Sequence, residues 1–305
     1  MKALGMGIDV ESARFLLQSR QQGVRFDRCL TLGRQRYFPG KRETRRLFRR
    51  FGFPEEAADA VFESDEEPPF AEPFWKALGA QEIETLDRSD YEGASVIHDL
   101  NEPAPESLRQ AFDAVCDFGT IEHVFNFPTA LRNCMEMVKP GGRLILHTPA
   151  NNYCGHGFYQ FSPELFYRTL NEENGFCVER MIAVEYGPLR RWFEAADPER
   201  IRARVNVINA FPALLFVQAR RAAVKPLFSR WPQQSDYVSL WTGREQGSPE
   251  RKPAAPWSVR IRRKFLEACP RAARAIEAFR HSPFNGAYAW RNRRSFRPVS
   301  KNPRQ

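Results

Sequence analysis

Short apolar runs alternate with amphipathic segments of helical period along the middle of the chain, and this alternation restricts the fold more than any other feature. Five strand-like runs come in order, at Phe26–Leu32, Ile83–Leu86, Ala94–Leu100, Phe112–Cys116 and Arg143–His147. The clearest helical patterns lie at residues 128–138 and directly after Ser162. Strands that alternate with helices predict an α/β fold, in which a mostly parallel sheet carries helices on both faces.

In parallel sheets, ligands bind at the carboxyl ends of the strands, so the residues directly after each run are the first candidates for function. They are Gly33, Asp87, Asp99, Asp117 and the segment 148–152. A carboxylate after the second strand can accept two hydrogen bonds from a ribose diol, and one after the third can accept from an adenine amino group. Each aspartate alone also fits a helix cap or a loop position, but their occurrence after consecutive strands favours a nucleotide-type ligand.

The segment Phe112–Asn152 carries the most specific combination of residues. It holds a strand that ends in Asp117, then a Glu-His pair, a helix that ends in Lys-Pro-Gly-Gly, and a strand that runs into Thr-Pro. This segment resembles class I S-adenosylmethionine-dependent methyltransferases, and most of all the group related to ubiquinone and menaquinone biosynthesis methyltransferases. The resemblance extends more loosely over Phe26–Arg221. It implies a Rossmann-like sheet, closed by a C-terminal antiparallel hairpin of the runs Phe176–Tyr186 and Phe211–Arg220, and S-adenosylmethionine as the cofactor.

The resemblance also implies roles for individual residues of this chain. The expected cofactor-binding residues are Gly33, Asp87, Asp99, Leu100, Asp117 and Glu122. Gly33 is expected in the first strand-to-helix turn, where a residue without Cβ lets the cofactor approach. In this resemblance Asp87 binds the ribose hydroxyls, Asp99 with Leu100 binds the adenine, and Asp117 lies at the methionine end. Glu122 and His123 then lie next to the sulfonium.

Two features depart from the family pattern, and both fall on the cofactor side. The glycine-rich first loop is reduced to a single glycine, Gly33, which the bulky cation Arg34 follows. Only residues 87–93 separate the second and third strands, whereas a crossover helix takes about ten residues or more. Two functions therefore stay open. One is methyl transfer to an unidentified small-molecule or saccharide acceptor; the alternative is a degenerate methyltransferase fold that serves as a scaffold or binding partner, with Arg34 filling the cofactor cavity.

The segment Asn151–Pro163 follows the strand that faces the acceptor in this family, and it predicts the acceptor side of the site. The expected catalytic residues are His156, His123 and Tyr159. Methyl transfer to oxygen or nitrogen requires removal of a proton, for which the pKa of a histidine is suited. Simple packing of the aromatic residues over the sheet edge, and a helix-capping role for His123, remain alternatives. No metal site is expected, because His147, Cys154 and His156 match no standard zinc-ligand spacing.

Charge and composition divide the chain into three regions. Residues 1–25 predict an N-terminal helix capped by Asp9, residues 26–221 the methyltransferase domain, and residues 222–305 a basic, partly disordered extension. The extension holds 18 Lys and Arg against 5 Asp and Glu, so all of the excess positive charge behind the net charge of +9 lies in this region. We expect a solvated basic face there, with contact to an anionic membrane surface as an alternative. Nucleic-acid binding is not expected, because neither the basic stretch Lys41–Arg50 nor the aromatic residues Trp290 and Phe296 belong to a nucleic-acid-binding motif.

The remaining features indicate a soluble protein of the cytoplasm. No apolar run approaches the roughly 20 residues needed to span a bilayer, and Met1–Asp9 lacks the apolar core of a secretory signal. The six cysteines include no C-x-x-C pair, which favours reduced, packed thiols. The acidic stretch Glu55–Pro69, with its pair of prolines, predicts a loop or a mobile segment.

Overall fold

A nine-stranded sheet forms the centre of the computed structural model, which describes residues 7–238, 269–280, 282, 285 and 289–301. The strands are β1 (Gly7–Ile8), β2 (Arg28–Leu32), β3 (Arg36–Tyr37), β4 (Glu82–Asp87), β5 (Val96–Ile97), β6 (Phe112–Phe118), β7 (Val138–Asn151), β8 (Phe176–Glu185), β9 (Arg191–Ala195), β10 (Ala213–Arg221) and β11 (Phe296–Pro298). The helices are α1 (Val10–Gln21), α2 (Lys41–Phe51), α3 (Glu55–Ala60), α4 (Glu72–Ala77), α5 (Phe127–Met137), α6 (Pro163–Thr169), α7 (Pro198–Ile201) and α8 (Pro270–Arg280). Within these ranges, no helix has the length and apolarity to cross a membrane.

The strands of the sheet run in the order β11-β9-β8-β10-β7-β6-β2-β4-β5. The strands β5, β4, β2, β6 and β7 are parallel to one another, whereas β10 lies antiparallel between β7 and β8. The short strands β1 and β3 form a separate parallel pair. Residues 88–95, between β4 and β5, contain no helix, in keeping with their small number. The predicted fold class, a mostly parallel Rossmann-like sheet with a C-terminal antiparallel region, is confirmed.

Helices cover both faces of the sheet because each central strand turns its apolar residues alternately to the two sides. In β7, Leu144 and Leu146 pack in the layer that contains α5 and α6, while Ile145 packs in the layer that contains α1, α2 and α4. All three side chains are fully buried. A strand with this pattern is an internal strand of a doubly covered sheet, and its carboxyl end is where a ligand can be reached.

The start of α1 and the end of α2 show how single residues bound these helices. At the start of α1, Asp9 Oδ1 accepts a hydrogen bond from the backbone N–H of Ser12 at 2.8 Å, which caps the helix. At the end of α2, Gly52 adopts a left-handed conformation with φ +72°, which closes the last turn. The inner face of α2 buries Leu47 and Phe48, so this basic helix belongs to the core.

The acidic stretch 55–69 is not simply a loop, because its first part forms α3. Asp59 of α3 pairs with Arg45 of α2 at 2.7 Å, and Glu55 pairs with Arg49 at 2.6 Å. The acidic helix therefore partly neutralises the basic helix beside it. This pairing corrects the predicted loop over residues 55–60, and it gives the positive charge of α2 a partner within the same chain.

Part of the basic extension packs on the sheet. β11 pairs antiparallel with β9, Trp290 stacks on Phe193 with ring centroids 4.6 Å apart, and Phe296 is 2% exposed. The predicted disorder is therefore wrong for residues 289–301, whose aromatic side chains are core residues instead of a surface for stacking on bases. Residues 239–268, which the prediction of a basic extension also covers, lie outside the described residues.

Candidate functional site

A cavity of about 460 Å³ opens at the carboxyl ends of the parallel strands. Its lining residues are Leu86, Asp87, Arg88, His98, Asp99, Leu100, Asn101, Thr120, His123, Val124 and His156. They come together because the strands are in register: Leu32 of β2 lies beside Leu86 of β4 on one side and Asp117 of β6 on the other. Five of the residues predicted for the site therefore line one cavity, namely Asp87, Asp99, Leu100, His123 and His156.

Gly33 forms the first strand-to-helix turn at the edge of this cavity. Its backbone has φ +71°, and its N–H donates to the carbonyl oxygen of Leu86 at 2.7 Å. A Cβ at this position would lie 3.7 Å from Thr120 Oγ1 and 3.8 Å from Asp87 Oδ2. A side chain at this position would therefore point into the space between the first turn and the aspartate that follows β4.

Arg34 points away from the cavity, although its position in the sequence predicts interference with the cofactor. Its guanidinium lies over the ring of Phe70 at 3.6 Å. Its Nε donates to Glu72 Oε1 at 2.6 Å, and its Nη1 donates to the carbonyl oxygen of Glu92 at 3.0 Å. These contacts hold the side chain against the start of α4, so Arg34 does not fill the space that a cofactor needs.

The two aspartates of the cavity are held in different ways. Asp87 Oδ1 accepts the backbone N–H of Arg88 at 2.6 Å. Asp99 Oδ1 accepts both the backbone N–H and the side-chain amide of Asn101, at 2.9 and 2.8 Å. These hydrogen bonds from Asn101 lower the pKa of Asp99, which keeps its carboxylate ionised. Asn101 was not predicted, although the Asp-x-Asn spacing of such a turn is visible in the sequence.

Asp117 lies behind the cavity and supports the turn after β6. It is fully buried, and its carboxylate oxygens accept the backbone N–H groups of Thr120 at 2.9 Å and Ile121 at 3.4 Å. Burial raises the pKa of Asp117, and the nearby carboxylate of Glu122 adds to the shift. The aspartate thus fixes the backbone that presents the next residues, and it does not itself line the cavity.

Glu122, His123 and His156 form a cluster next to this turn. Glu122 is 1% exposed, with its Oε1 3.5 Å from His156 Nε2. The rings of His123 and His156 meet edge to face at 4.9 Å between centroids. The hydrogen bond with Glu122 raises the pKa of His156. Backbone contacts fix the arrangement, since the carbonyl oxygen of Glu122 accepts the N–H of Phe158 at 2.8 Å.

Tyr159 takes a packing position, although the sequence predicts a catalytic one. Its hydroxyl donates to the carbonyl oxygen of Phe125 at 2.7 Å, and its ring lies 5.0 Å from that of Phe127. Tyr159 does not line the cavity. Tyr159 therefore takes part in the aromatic packing that the sequence analysis left open as an alternative.

The N-terminus of α1 packs against the carboxyl end of β7 and against the residue that follows β8. Asp9 Oδ2 accepts the hydroxyl hydrogen of Tyr186 at 2.8 Å, and Ser12 Oγ lies 3.4 Å from His147 Nδ1. His147 itself is buried and stacks on Phe216 at 4.2 Å, and its burial lowers its pKa. This packing ties α1 to the carboxyl end of β7, and it keeps His147 neutral in the core.

Comparisons with known proteins give one family match. A family model described as a methyltransferase domain matches residues 39–210. No curated protein matches the sequence. Among solved structures, 1,6-didemethyltoxoflavin-N1-methyltransferase of Burkholderia thailandensis is 13% identical with a TM-score of 0.37, over 70% of this chain and 78% of that one. N-methyltransferase NodS of Bradyrhizobium japonicum WM9 is 12% identical with a TM-score of 0.37, over 70% of this chain and 96% of that one.

Proposed function

Since the chain belongs to the methyltransferase domain family, whose model matches more than half of its length, we propose that it methylates a small-molecule acceptor in the cavity at the carboxyl edge of its sheet. The family match confirms the predicted enzyme class and, with it, S-adenosylmethionine as the cofactor. The more specific kinship with ubiquinone and menaquinone biosynthesis methyltransferases stays a prediction. The observation that carries the proposal is the cavity itself, which holds Asp87 and Asp99 beside a turn where Gly33 leaves room.

The residues of the cavity fit the cofactor. The space between Gly33, Asp87 and Thr120 is one that a Cβ on residue 33 would enter. We assign Asp87 to the ribose hydroxyls, because a carboxylate after the second strand of such a sheet can accept from both. Asp99, with its pKa lowered by Asn101, and the buried Leu100 are assigned to the adenine. Asp117 and Glu122, predicted as direct cofactor ligands, are assigned to positioning the turn.

The single-glycine loop does not argue against this function. The scaffold alternative tolerates an Arg34 that fills the cavity, whereas the guanidinium is held by Phe70, Glu72 and the backbone of Glu92. The first turn therefore keeps its opening with one glycine. The loop is degenerate in its sequence, and we propose that it remains able to admit the cofactor.

The chain's own part in the reaction is to position the acceptor and to exclude water. When bound, S-adenosylmethionine supplies a methyl group on a positively charged sulfur, and the reaction is an in-line displacement at that carbon. The acceptor must therefore approach in one line, which a preformed wall can impose. His123 and His156 line the cavity beside Val124, and we place the nucleophilic atom of the acceptor against them. Removal of its proton by one of these histidines stays a prediction.

Two exposed aromatic residues indicate the character of the acceptor. Phe125 and Phe158 are 72% and 65% exposed, and their rings meet edge to face at 5.8 Å. Phe125 follows the cavity residue Val124 directly in the chain, and the N–H of Phe158 is bonded to Glu122. Exposed aromatic side chains next to cavity residues offer a surface to an apolar or aromatic ring. We therefore propose a small molecule with a ring near the methylated atom, which leaves a saccharide acceptor as the second candidate.

Titration calorimetry with S-adenosylmethionine tests the cofactor site. We expect micromolar binding to the folded protein and a loss of about tenfold to a hundredfold in affinity for Asp87→Asn, because a hydrogen bond to a charged group contributes about 1.5–3 kcal/mol. Asp90→Asn is the matched control, since Asp90 is exposed and lies three residues along the same turn, outside the cavity lining. Equal losses in both variants, or no binding to folded wild-type protein, would contradict the assignment.

Contact of the basic extension with an anionic surface stays a proposal. Polybasic segments are attracted to acidic lipids, and the extension holds 18 Lys and Arg against 5 Asp and Glu. Cytoplasmic localisation likewise stays a prediction. Co-sedimentation with vesicles that contain acidic lipid, compared with neutral vesicles, tests the contact, and equal binding to both would contradict it.

A further inference from the structure

We propose that Glu122, His123 and His156 bind a divalent metal ion at the wall of the cavity. One ligand atom from each side chain lies within 4.8 Å of the other two. Imidazole nitrogens and carboxylate oxygens bind such ions at about 2.0–2.2 Å, so two ligands of one ion lie at most about 4.2 Å apart. Small rotations of the side chains therefore bring all three within bonding distance.

The state of Glu122 is the second observation that points to a cation. The side chain is 1% exposed, and its Oε2 atom has no hydrogen-bond partner among the described residues. Its ion-pair partner in this part of the chain is His156, at a distance of 3.5 Å. A buried carboxylate oxygen without a donor is costly, and folded proteins seldom leave one unpaired. A bound cation would satisfy it.

The backbone holds the three residues together before any ion binds. Glu122 and His123 lie in the 3-10 turn Ile121–His123 directly after β6. Gly157, beside His156, has φ +74°, and a Cβ there would lie 2.8 Å from the carbonyl oxygen of Glu122. Only glycine allows the two segments to approach this closely. The histidine of one segment is thereby fixed against the glutamate of the other.

The ligand types and their exposure indicate what kind of site this is. Two imidazoles and one carboxylate with open positions suit ions such as Fe(II), Co(II) and Zn(II). His123 is exposed, His156 is 31% exposed, and both line the cavity. A site with three protein ligands that opens on a cavity leaves positions for a substrate atom, as catalytic metal sites do and structural ones do not.

An ion at this place would bind an oxygen of the acceptor and favour its deprotonation. A hydroxyl bound to a metal ion gives its proton to water far more readily than an unbound hydroxyl does, and the deprotonated oxygen is the stronger nucleophile. In this arrangement both histidines are ligands instead of bases, solvent water takes the proton, and the acceptor is a hydroxyl compound. This role rests on the proposed function; the binding of the ion does not.

Cobalt binding to the chelator-treated, full-length protein tests the proposal. We expect one Co(II) per chain, seen as visible absorption bands that develop on titration, and at least about tenfold weaker binding for His156→Ala and for the isosteric Glu122→Gln. His98→Ala is the matched control, because His98 lines the same cavity with its Nε2 3.1 Å from the carbonyl oxygen of Glu102 and does not belong to the cluster. Its Co(II) affinity should equal that of the wild type.

The outcomes separate this proposal from the proposed function. Absence of stoichiometric Co(II) binding, or equal weakening by His98→Ala and His156→Ala, would overturn the metal site. Calorimetry with S-adenosylmethionine on the same samples shows whether each variant is folded and retains the cofactor site. Co(II) binding without cofactor binding would support the metal site and contradict the proposed function. Cofactor binding without Co(II) binding would contradict the metal site and leave the proposed function supported.

Discussion

Arg221, at the end of β10, ties the sheet to the C-terminal end of α5, and Arg221→Met tests how much this tie contributes. Its side chain is 3% exposed. The guanidinium Nη1 lies 3.1, 3.0 and 2.7 Å from the carbonyl oxygens of Met135, Glu136 and Val138. Carbonyls at the end of a helix have no partner within the helix, and a cation there is also favoured by the helix dipole.

The expected loss on substitution is about 3 kcal/mol. An unsatisfied buried acceptor costs about 1–3 kcal/mol, and three carbonyls are affected. Because the three carbonyls share one nitrogen, their individual costs are not additive. Removing the buried guanidinium also relieves its own desolvation, which offsets part of the cost. Met keeps most of the apolar stem, so the change acts mainly through the lost hydrogen bonds.

Arg220→Met provides the matched control in the neighbouring position. The Arg220 side chain is 42% exposed, and its Nε lies 3.4 Å from Glu179 Oε1, so its loss is expected to cost less than about 1 kcal/mol. Urea unfolding should show a lower midpoint for Arg221→Met at an unchanged slope. If the two variants differ by less than about 1 kcal/mol, the carbonyl contacts of Arg221 do not have the weight assigned to them.

Three further substitutions test other parts of the structure. Gly33→Ala should cost about 1–2 kcal/mol of folding free energy, because the φ angle of residue 33 is +71°. It should also weaken cofactor binding in calorimetry, and unchanged binding would show that Gly33 does not belong to the site. Trp290→Ala should destabilise the protein by about 3–5 kcal/mol in urea unfolding, since the ring stacks on Phe193, whereas a loss below about 1 kcal/mol would mean that residues 289–301 do not pack on the sheet. Burial raises the pKa of the Tyr37 hydroxyl above its unfolded value of about 10. The unfolded chain therefore ionises first as the pH rises, and the wild type should lose more stability than Tyr37→Phe between about pH 9 and pH 11. Equal losses in the two proteins would contradict this.

The sequence predicted the sheet because its strongest signals are local. The central strands are apolar runs buried on both faces, and each ends in a residue suited to a turn, so their number and the position of their carboxyl ends follow from the pattern. The strands β9 and β11 were missed. They are five and three residues long. β9 pairs with its near neighbour β8, whereas β11 exists because it finds β9 far away in the chain. Such pairings depend on the assembled edge of the sheet, which no short window of sequence describes.

The same distinction applies to the site. Asp87 and Asp99 could be placed in the cavity from the sequence, because the strand before each one fixes where its backbone lies. The direction of a side chain depends on distant partners and could not be predicted. Arg34 turns away because Phe70 and Glu72 are available to it, and Tyr159 turns to the carbonyl oxygen of Phe125.

Several buried polar atoms without a hydrogen-bond partner in the described part of the chain lie at the carboxyl edge of the sheet, and others lie elsewhere, at Arg14 of α1, Arg168 of α6 and Gln218 of β10. Thr148 Oγ1, Tyr153 OH and Glu122 Oε2 are buried without a hydrogen-bond partner among the described residues. Each such atom costs about 1–3 kcal/mol. The buried guanidinium of Arg221 also has one unpaired nitrogen, but its Nη1 remains bonded, so the group as a whole is satisfied. Thr148 and Tyr153 have no second polar side-chain atom to offset this cost, and neither of them lines the cavity. A domain whose sheet is buried on both faces can carry this cost at one edge, and that edge is where the cavity opens.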